Sequence, residues 1–416
     1  MKMKISLLYI VCVFFSLIFI SASKNINANS DELGQVKPKV ESGFIDVKDG
    51  RIYYETAGKG DVIVLVHDGS LHNATWDGQF LAFAENYKVI RYDRRGYGKS
   101  TWPETPFSNV EDLNSVFKFF NVEKAAVMGM SAGGGLSIDF TLEYPNKVTA
   151  LVLVGAVVSG YGYTPHFLSR GGRIDATYFP NPEKLINYMF KEDPYTIYFK
   201  NKEAKEKALK LMLKNPHNYD FRKNRFSRGP KRLALGALGE IKVPTLIVVG
   251  EYDIPDVHAH AGAIEAGIKN SERVVVKNSA HLVPLEKPEV FNRLALSFLK
   301  SSDFLNILYN KGTIEALQYF EKLVKDGINE IPFNEAKINV MGYNYLQKGK
   351  TDDAVNLFKL NVLAYPGSWN AYDSLAEAYM TKGDNENAIK YYKKAIELNP
   401  DNDNAKSRLK TLEREN

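Results

Sequence analysis

Short apolar runs rich in β-branched residues recur along the first two thirds of the chain: VIVLVH (62–67), YKVIRYD (87–93), KAAVMGM (124–130), TALVLVG (149–155), PTLIVVG (244–250) and RVVVKN (273–278). Several are apolar almost without a break, the pattern of strands buried on both faces. Helical stretches separate most of them, so the pattern predicts an α/β domain over 42–300, a mostly parallel sheet with helices on both sides. Between Val157 and Ile241 the rhythm gives way to aromatic and basic residues, with helical runs such as EKLINYMFK and KEAKEKALKLMLK. An inserted helical lid at about 157–241 accounts for that change.

From 301 to 416 the pattern is helical alone. Gly342, Tyr345, Gly349, Ala354, Phe358 and Pro366 recur as Ala376, Tyr379, Gly383, Ala388, Tyr392 and Pro400, each pair 34 residues apart. Small residues where two helices cross and a proline closing each unit make this region resemble the tetratricopeptide repeat. The resemblance implies an all-α domain with repeats at about 334–367 and 368–401. KGTIEALQYF (311–320) echoes KGKTDDAVNLF (348–358), which marks a degenerate unit at about 302–326. Asp403 to Asn416 reads as a polar capping helix. Such arrays imply a protein or peptide partner.

At the N-terminus two lysines precede an apolar run of 16 residues, Ile5 to Ile20, and then Ser21-Ala22-Ser23. That order is the signature of a secretory signal peptide at 1–23, followed by a polar linker at 24–41. It implies export to the periplasm or beyond, or membrane anchoring if the segment is retained. Cys12, the only cysteine, lies inside the apolar run, so disulfides, CxxC redox pairs and thiolate metal clusters are excluded. Lys+Arg 54 against Asp+Glu 49 leaves +5 over 416 residues, too little to mark a nucleic-acid binder.

The chemistry centres on Gly129-Met-Ser131-Ala132-Gly133. A G-x-S-x-G between a strand and a helix bends the backbone so tightly that its flanks must be small, and it leaves the Ser131 hydroxyl exposed above the sheet edge. The helix N-terminus behind it favours developing negative charge. A hydroxyl needs a base, and the base needs an orienting acid. Later strand ends supply both: PTLIVVG leads to Glu251-Tyr252-Asp253, and RVVVKN leads to Ser279-Ala280-His281. Asp256 and Glu251 stand close enough to Asp253 to compete for the acid role.

The chain order Ser131, Asp253, His281 makes residues 42–300 resemble the α/β-hydrolase superfamily, in its lidded esterase-like branch. The resemblance implies a Ser-His-Asp triad with Asp253 as the acid, and an oxyanion hole built from the N–H of Ala132 and that of Gly69 or Asp68 in VLVHDGS. The family has glycine where this chain has Asp68, which brings an unexpected carboxylate to the oxyanion loop. His67 reads as a brace for that loop, as do Asp93 and Arg94 in YDRRGYGKS (92–100). Gly98-Lys99-Ser100 lacks the upstream glycine of a phosphate-binding loop, and Ser115-Val-Phe-Lys118 lacks the companion motifs of penicillin-interacting enzymes. His258 and His260 form an HxH pair without a third ligand at recognised spacing, and read as solvent-facing. No metal or organic cofactor is expected.

Serine at the turn separates this chain from dehalogenases and epoxide hydrolases, whose similar architecture carries aspartate there. The expected activity is carboxylic-ester hydrolysis through an acyl-enzyme. The lid aromatics Tyr161, Tyr163, Phe167, Tyr178, Phe179, Tyr188 and Phe190 suit an apolar acyl or aromatic substrate. The alternative is a repeat-mediated binding protein whose hydrolase domain is weakly active or inactive.

Overall fold

A computed structural model describes residues 38–165, 167–168, 181–191, 199–327 and 331–415. The expected signal peptide with Cys12, residues 24–37 of the linker, and Tyr178 and Phe179 lie outside them. The sheet has eight strands: β1 (Glu41–Val47), β2 (Gly50–Ala57), β3 (Val62–Val66), β4 (Lys88–Tyr92), β5 (Ala125–Met130), β6 (Val148–Val154), β7 (Thr245–Gly250) and β8 (Ser271–Val276). They lie side by side in the order β1-β2-β4-β3-β5-β6-β7-β8. Pairing is parallel from β4 onward, whereas β1 and β2 form an antiparallel hairpin added to the edge. That hairpin turns tightly at Lys48-Asp49, with Asp49 at φ 59°, a conformation aspartate tolerates better than most residues.

Along β3, Ile63 and Leu65 enter one core while Val64 and Val66 enter the other, so each strand feeds two apolar layers. One layer is covered by α1 (Asp77–Ala84), through Phe80 and Phe83. The other is covered by α2 (Asn109–Phe119) and α3 (Ala132–Glu143), through Phe117 and Phe140. Burying each such aromatic stabilises the fold by roughly 1.5–3 kcal/mol. Between β6 and β7, α4 (Pro182–Lys191) and α5 (Lys202–Lys214) place Leu185, Ile186, Ala208 and Met212 against Leu282 and Val283. The lid helices are thus part of the core. After β7 comes α6 (Pro255–Gly267).

The expected boundary at 300/301 falls inside a helix. α7 (Pro288–Asn310) runs unbroken, because neither proline nor glycine interrupts it between Pro288 and Gly312. Its first half buries Phe291, Ala295 and Leu299 in the hydrolase core, and its second half buries Phe304 and Leu308 among the repeat helices. Asn306 Nδ2 donates to Thr149 O at 2.8 Å, at the start of β6. Hairpins follow from α8 (Thr313–Lys325), α9 (Glu335–Gln347), α10 (Thr351–Ala364), α11 (Trp369–Lys382) and α12 (Asn385–Leu398), and α13 (Asp403–Glu415) ends the array. A Cβ on Gly342 would fall 2.4 Å from the Phe358 ring, which is why that crossing takes glycine.

Candidate active site

Ser131 stands where β5 meets α3, with φ 52° and ψ −118°. A non-glycine residue in that region is strained. Its neighbours hold it there: Ser131 N donates to Val154 O at 2.8 Å, and Ser131 O accepts from Gly135 N at 3.1 Å. The turn closes only because its flanks are bare. A Cβ on Gly129 would lie 2.4 Å from Gly133 O, and one on Gly133 would lie 2.3 Å from His67 O.

The loops after β7 and β8 bring Asp253 and His281 together. His281 Nδ1–H donates to Asp253 Oδ2 at 2.9 Å and Oδ1 at 3.1 Å, with the carboxylate side chain 1% and the imidazole 13% exposed. The competing acids are occupied elsewhere. Asp256 accepts from Thr164 N at 2.7 Å and Thr164 Oγ1 at 3.1 Å, while Glu251 accepts from Asn278 N at 2.9 Å. Burial alone lowers the His281 pKa, but the Asp253 charge and hydrogen bond outweigh it, with smaller help from Asp68 and Glu286. The imidazole is therefore more basic than an ordinary histidine. Ser131 and His281 line one cavity of about 250 Å³, walled by Val157, Tyr163, Phe167, Ile254 and Val257. The imidazole bonds Asp253 and makes no hydrogen bond to Ser131 Oγ.

Gly69 also lines this cavity, and the site where its Cβ would stand is 3.5 Å from Ala132 Cβ. Among the described residues neither the Gly69 nor the Ala132 N–H has a main-chain partner. The Asp68 carboxylate is buried and fully engaged. Its Oδ1 accepts from Ser70 N, Leu71 N and Ser70 Oγ, and its Oδ2 from Thr75 Oγ1 at 2.8 Å. It shapes the loop. His67 is fully buried; its Nε2 accepts the Arg94 N–H at 2.9 Å and its Nδ1–H donates to Asp68 O at 2.7 Å. Burial first, and the Arg94 charge second, push its pKa well below that of an ordinary histidine, so it stays neutral.

Three residues depart from what their local sequence suggests. His260 is completely buried rather than solvent-facing, because Val158 N donates to its Nδ1 at 3.0 Å and the Tyr161 and Tyr163 rings cover it. It braces the start of the lid. Glu286, buried, accepts from Ala280 N at 2.9 Å and Lys200 N at 3.0 Å, joining the His281 loop to the lid. Lys223, 2% exposed within the basic run FRKNRF, sets its ammonium 4.1 Å from the Tyr97 ring centre. No periodic signal marks any of them, since each is buried by chain segments distant in sequence.

A strained serine above a mostly parallel sheet, lining one lidded cavity together with an acid-held imidazole, defines a class. The chain belongs to the alpha/beta hydrolase family, whose model matches residues 63–294, and a tetratricopeptide-repeat model matches residues 370–402. It is 31% identical over 288 residues to 2-hydroxy-6-oxononadienedioate/2-hydroxy-6-oxononatrienedioate hydrolase of Escherichia coli (strain K12), covering 62% of this chain and 95% of that protein. It is 24% identical over 270 residues to 2-hydroxy-6-oxo-6-phenylhexa-2,4-dienoate hydrolase of Comamonas testosteroni, covering 61% and 93%. Among solved structures it shares the fold of an esterase from Exiguobacterium antarcticum, with a TM-score of 0.54 and 24% identity over 62% of this chain and all of that one.

Proposed function

We propose that the chain is a serine hydrolase of small esters with apolar acyl groups. Ser131 Oγ attacks the ester carbonyl, His281 accepts its proton, and Asp253 holds the imidazole and stabilises its cation. The negative oxygen is received by the N–H of Ala132 and of Gly69, each donor contributing about 10²–10³ in rate. The alcohol departs with the proton from His281, and water activated by the same imidazole releases the acid. The observation that carries this reading is one cavity holding both the strained Ser131 and the Asp253-bound His281.

The relatives named above are hydrolases of oxo-dienoate acids, in one case dioates, which gives carbon–carbon bond hydrolysis second place. The described walls of the cavity include Val157, Phe167, Ile254 and Val257, which favour an apolar acyl group. In the same reading the chain is exported and its repeats dock a protein or peptide.

A fluorophosphonate probe and a series of nitrophenyl esters test the assignment. Labelling should be abolished in Ser131→Ala and kcat should fall by roughly 10⁶. An unlabelled, folded wild-type protein would favour the binding-protein alternative. Turnover of oxo-dienoates with none of esters would move the assignment to carbon–carbon cleavage. Recovery of the chain outside the cytoplasm with residues 1–23 intact would refute signal cleavage.

A further inference from the structure

The carbonyl oxygen of Asp68 receives two donors, His67 Nδ1–H at 2.7 Å and Arg94 Nη2 at 2.6 Å. The sense of the first bond is fixed, because the Arg94 main-chain N–H occupies Nε2 and leaves the ring proton on Nδ1. The peptide that carries this carbonyl also carries the Gly69 N–H. In a trans peptide the two point in opposite directions. Donors gripping the oxygen therefore aim the N–H away from themselves, and Gly69 lines the cavity of Ser131. On the next peptide, Tyr97 OH donates to Gly69 O at 3.2 Å, and the Arg94 guanidinium lies 4.7 Å from the Tyr97 ring centre.

Arg94 differs from the arginines around it. Arg91 is paired with Glu55 and Asp77, and Arg95 with Asp112, whereas Arg94 has no ion-pair partner among the described residues. It is nevertheless 7% exposed, and its Nε lacks any hydrogen-bond partner. A buried cation without a counterion is costly, and a loop brace needs only hydrogen bonds that a neutral side chain also supplies. The charge has a use where negative charge appears only during reaction.

We propose that Arg94 is a positioning residue of the oxyanion site: its guanidinium orients and polarises the Asp68–Gly69 peptide so that the Gly69 N–H stabilises the negative oxygen formed on the substrate. The inference rests on the acyl-transfer reading above. Arg94 additionally lines a neighbouring cavity of about 330 Å³ that shares Ala132 and Val157 with the first, so direct contact with a substrate carboxylate is the competing role.

The test measures kcat and KM for a neutral and an anionic nitrophenyl ester, together with affinity for an alkylboronic acid that becomes a tetrahedral anion on Ser131. In Arg94→Met, kcat on the neutral ester should fall about 10–100-fold, less than the loss of a direct donor. KM should change by less than about twofold, and boronate affinity should fall with kcat/KM. The acid limb of the pH profile should stay in place, because Arg94 is not among the groups that shift His281. Arg94→Lys should restore part of the rate, and it carries the test alone if the methionine variant does not fold. An unchanged kcat in a folded variant overturns the proposal, as does a loss confined to KM for the anionic ester. A wild-type protein with neither ester turnover nor Ser131 labelling overturns both this proposal and the acyl-transfer reading.

Discussion

Replacing Asp253 by asparagine reverses a balance that can be read from the site. Two opposed influences act on His281: burial, which lowers its pKa, and Asp253, which raises it enough to leave the net shift upward. The proposed base is active when neutral, so wild-type kcat/KM should rise with pH through a midpoint above the ordinary imidazole value of 6.5. Asparagine removes the charge and leaves burial nearly unopposed, so the midpoint should move to the acid side of 6.5. The plateau should also fall. An amide presents one acceptor and one donor where Asp253 presents two acceptors to Nδ1–H, and the donor favours the tautomer with its proton on Nε2. That tautomer cannot accept the Ser131 proton, a defect worth about 10⁴ in kcat, or about 5 kcal/mol. Initial rates on a nitrophenyl ester from pH 5 to 9 measure both effects. A midpoint that stays put or moves upward, or a plateau loss below tenfold, would refute this account of how Asp253 acts.

Two further perturbations follow from buried groups. Glu286→Gln turns one carboxylate oxygen into a donor facing either Ala280 N or Lys200 N, and should destabilise the protein by about 1–3 kcal/mol in urea unfolding while slowing turnover. Unchanged unfolding together with unchanged turnover would show that the lid and the His281 loop are not joined there. Lys223 is pushed down to about 7, chiefly by burial and then by Arg94, so between pH 7 and 10.5 the folded chain binds fewer protons than the unfolded one. Its penalty is fully present below pH 7, and stability should rise with pH through that window. Lys223→Met should flatten this rise in denaturation midpoints, and parallel wild-type and variant slopes would contradict it.

The parallel strands were legible because burial on both faces leaves an apolar run that no polar position interrupts, as in Val62–Val66. The β1–β2 hairpin leaves no such run. Its first strand is mostly exposed, and the useful signal was the Asp49-Gly50 step flanked by alternating residues. Ser131 could be read locally, since small residues at 129 and 133 are a requirement of the bend itself. Spacing alone does not separate Glu251, Asp253 and Asp256, which lie within six residues; the family resemblance points to Asp253, and the contacts each carboxylate makes set the three apart. His260 misled for a similar reason: helical spacing says which residues share a face, but the chain that covers it arrives from residues 158–163.

The unbroken helix from Pro288 to Asn310 has a mechanical meaning. At 1.5 Å per residue it is a strut roughly 34 Å long, seated at one end in the sheet and at the other in the repeats. Asn306 fastens it beside the start of β6, whereas Ser131 lies beyond the far end of the adjacent β5. The array is welded on, not leashed, and it departs from the rim opposite the hydroxyl. Cargo held there would keep a fixed heading behind the enzyme and leave the mouth of the cavity clear.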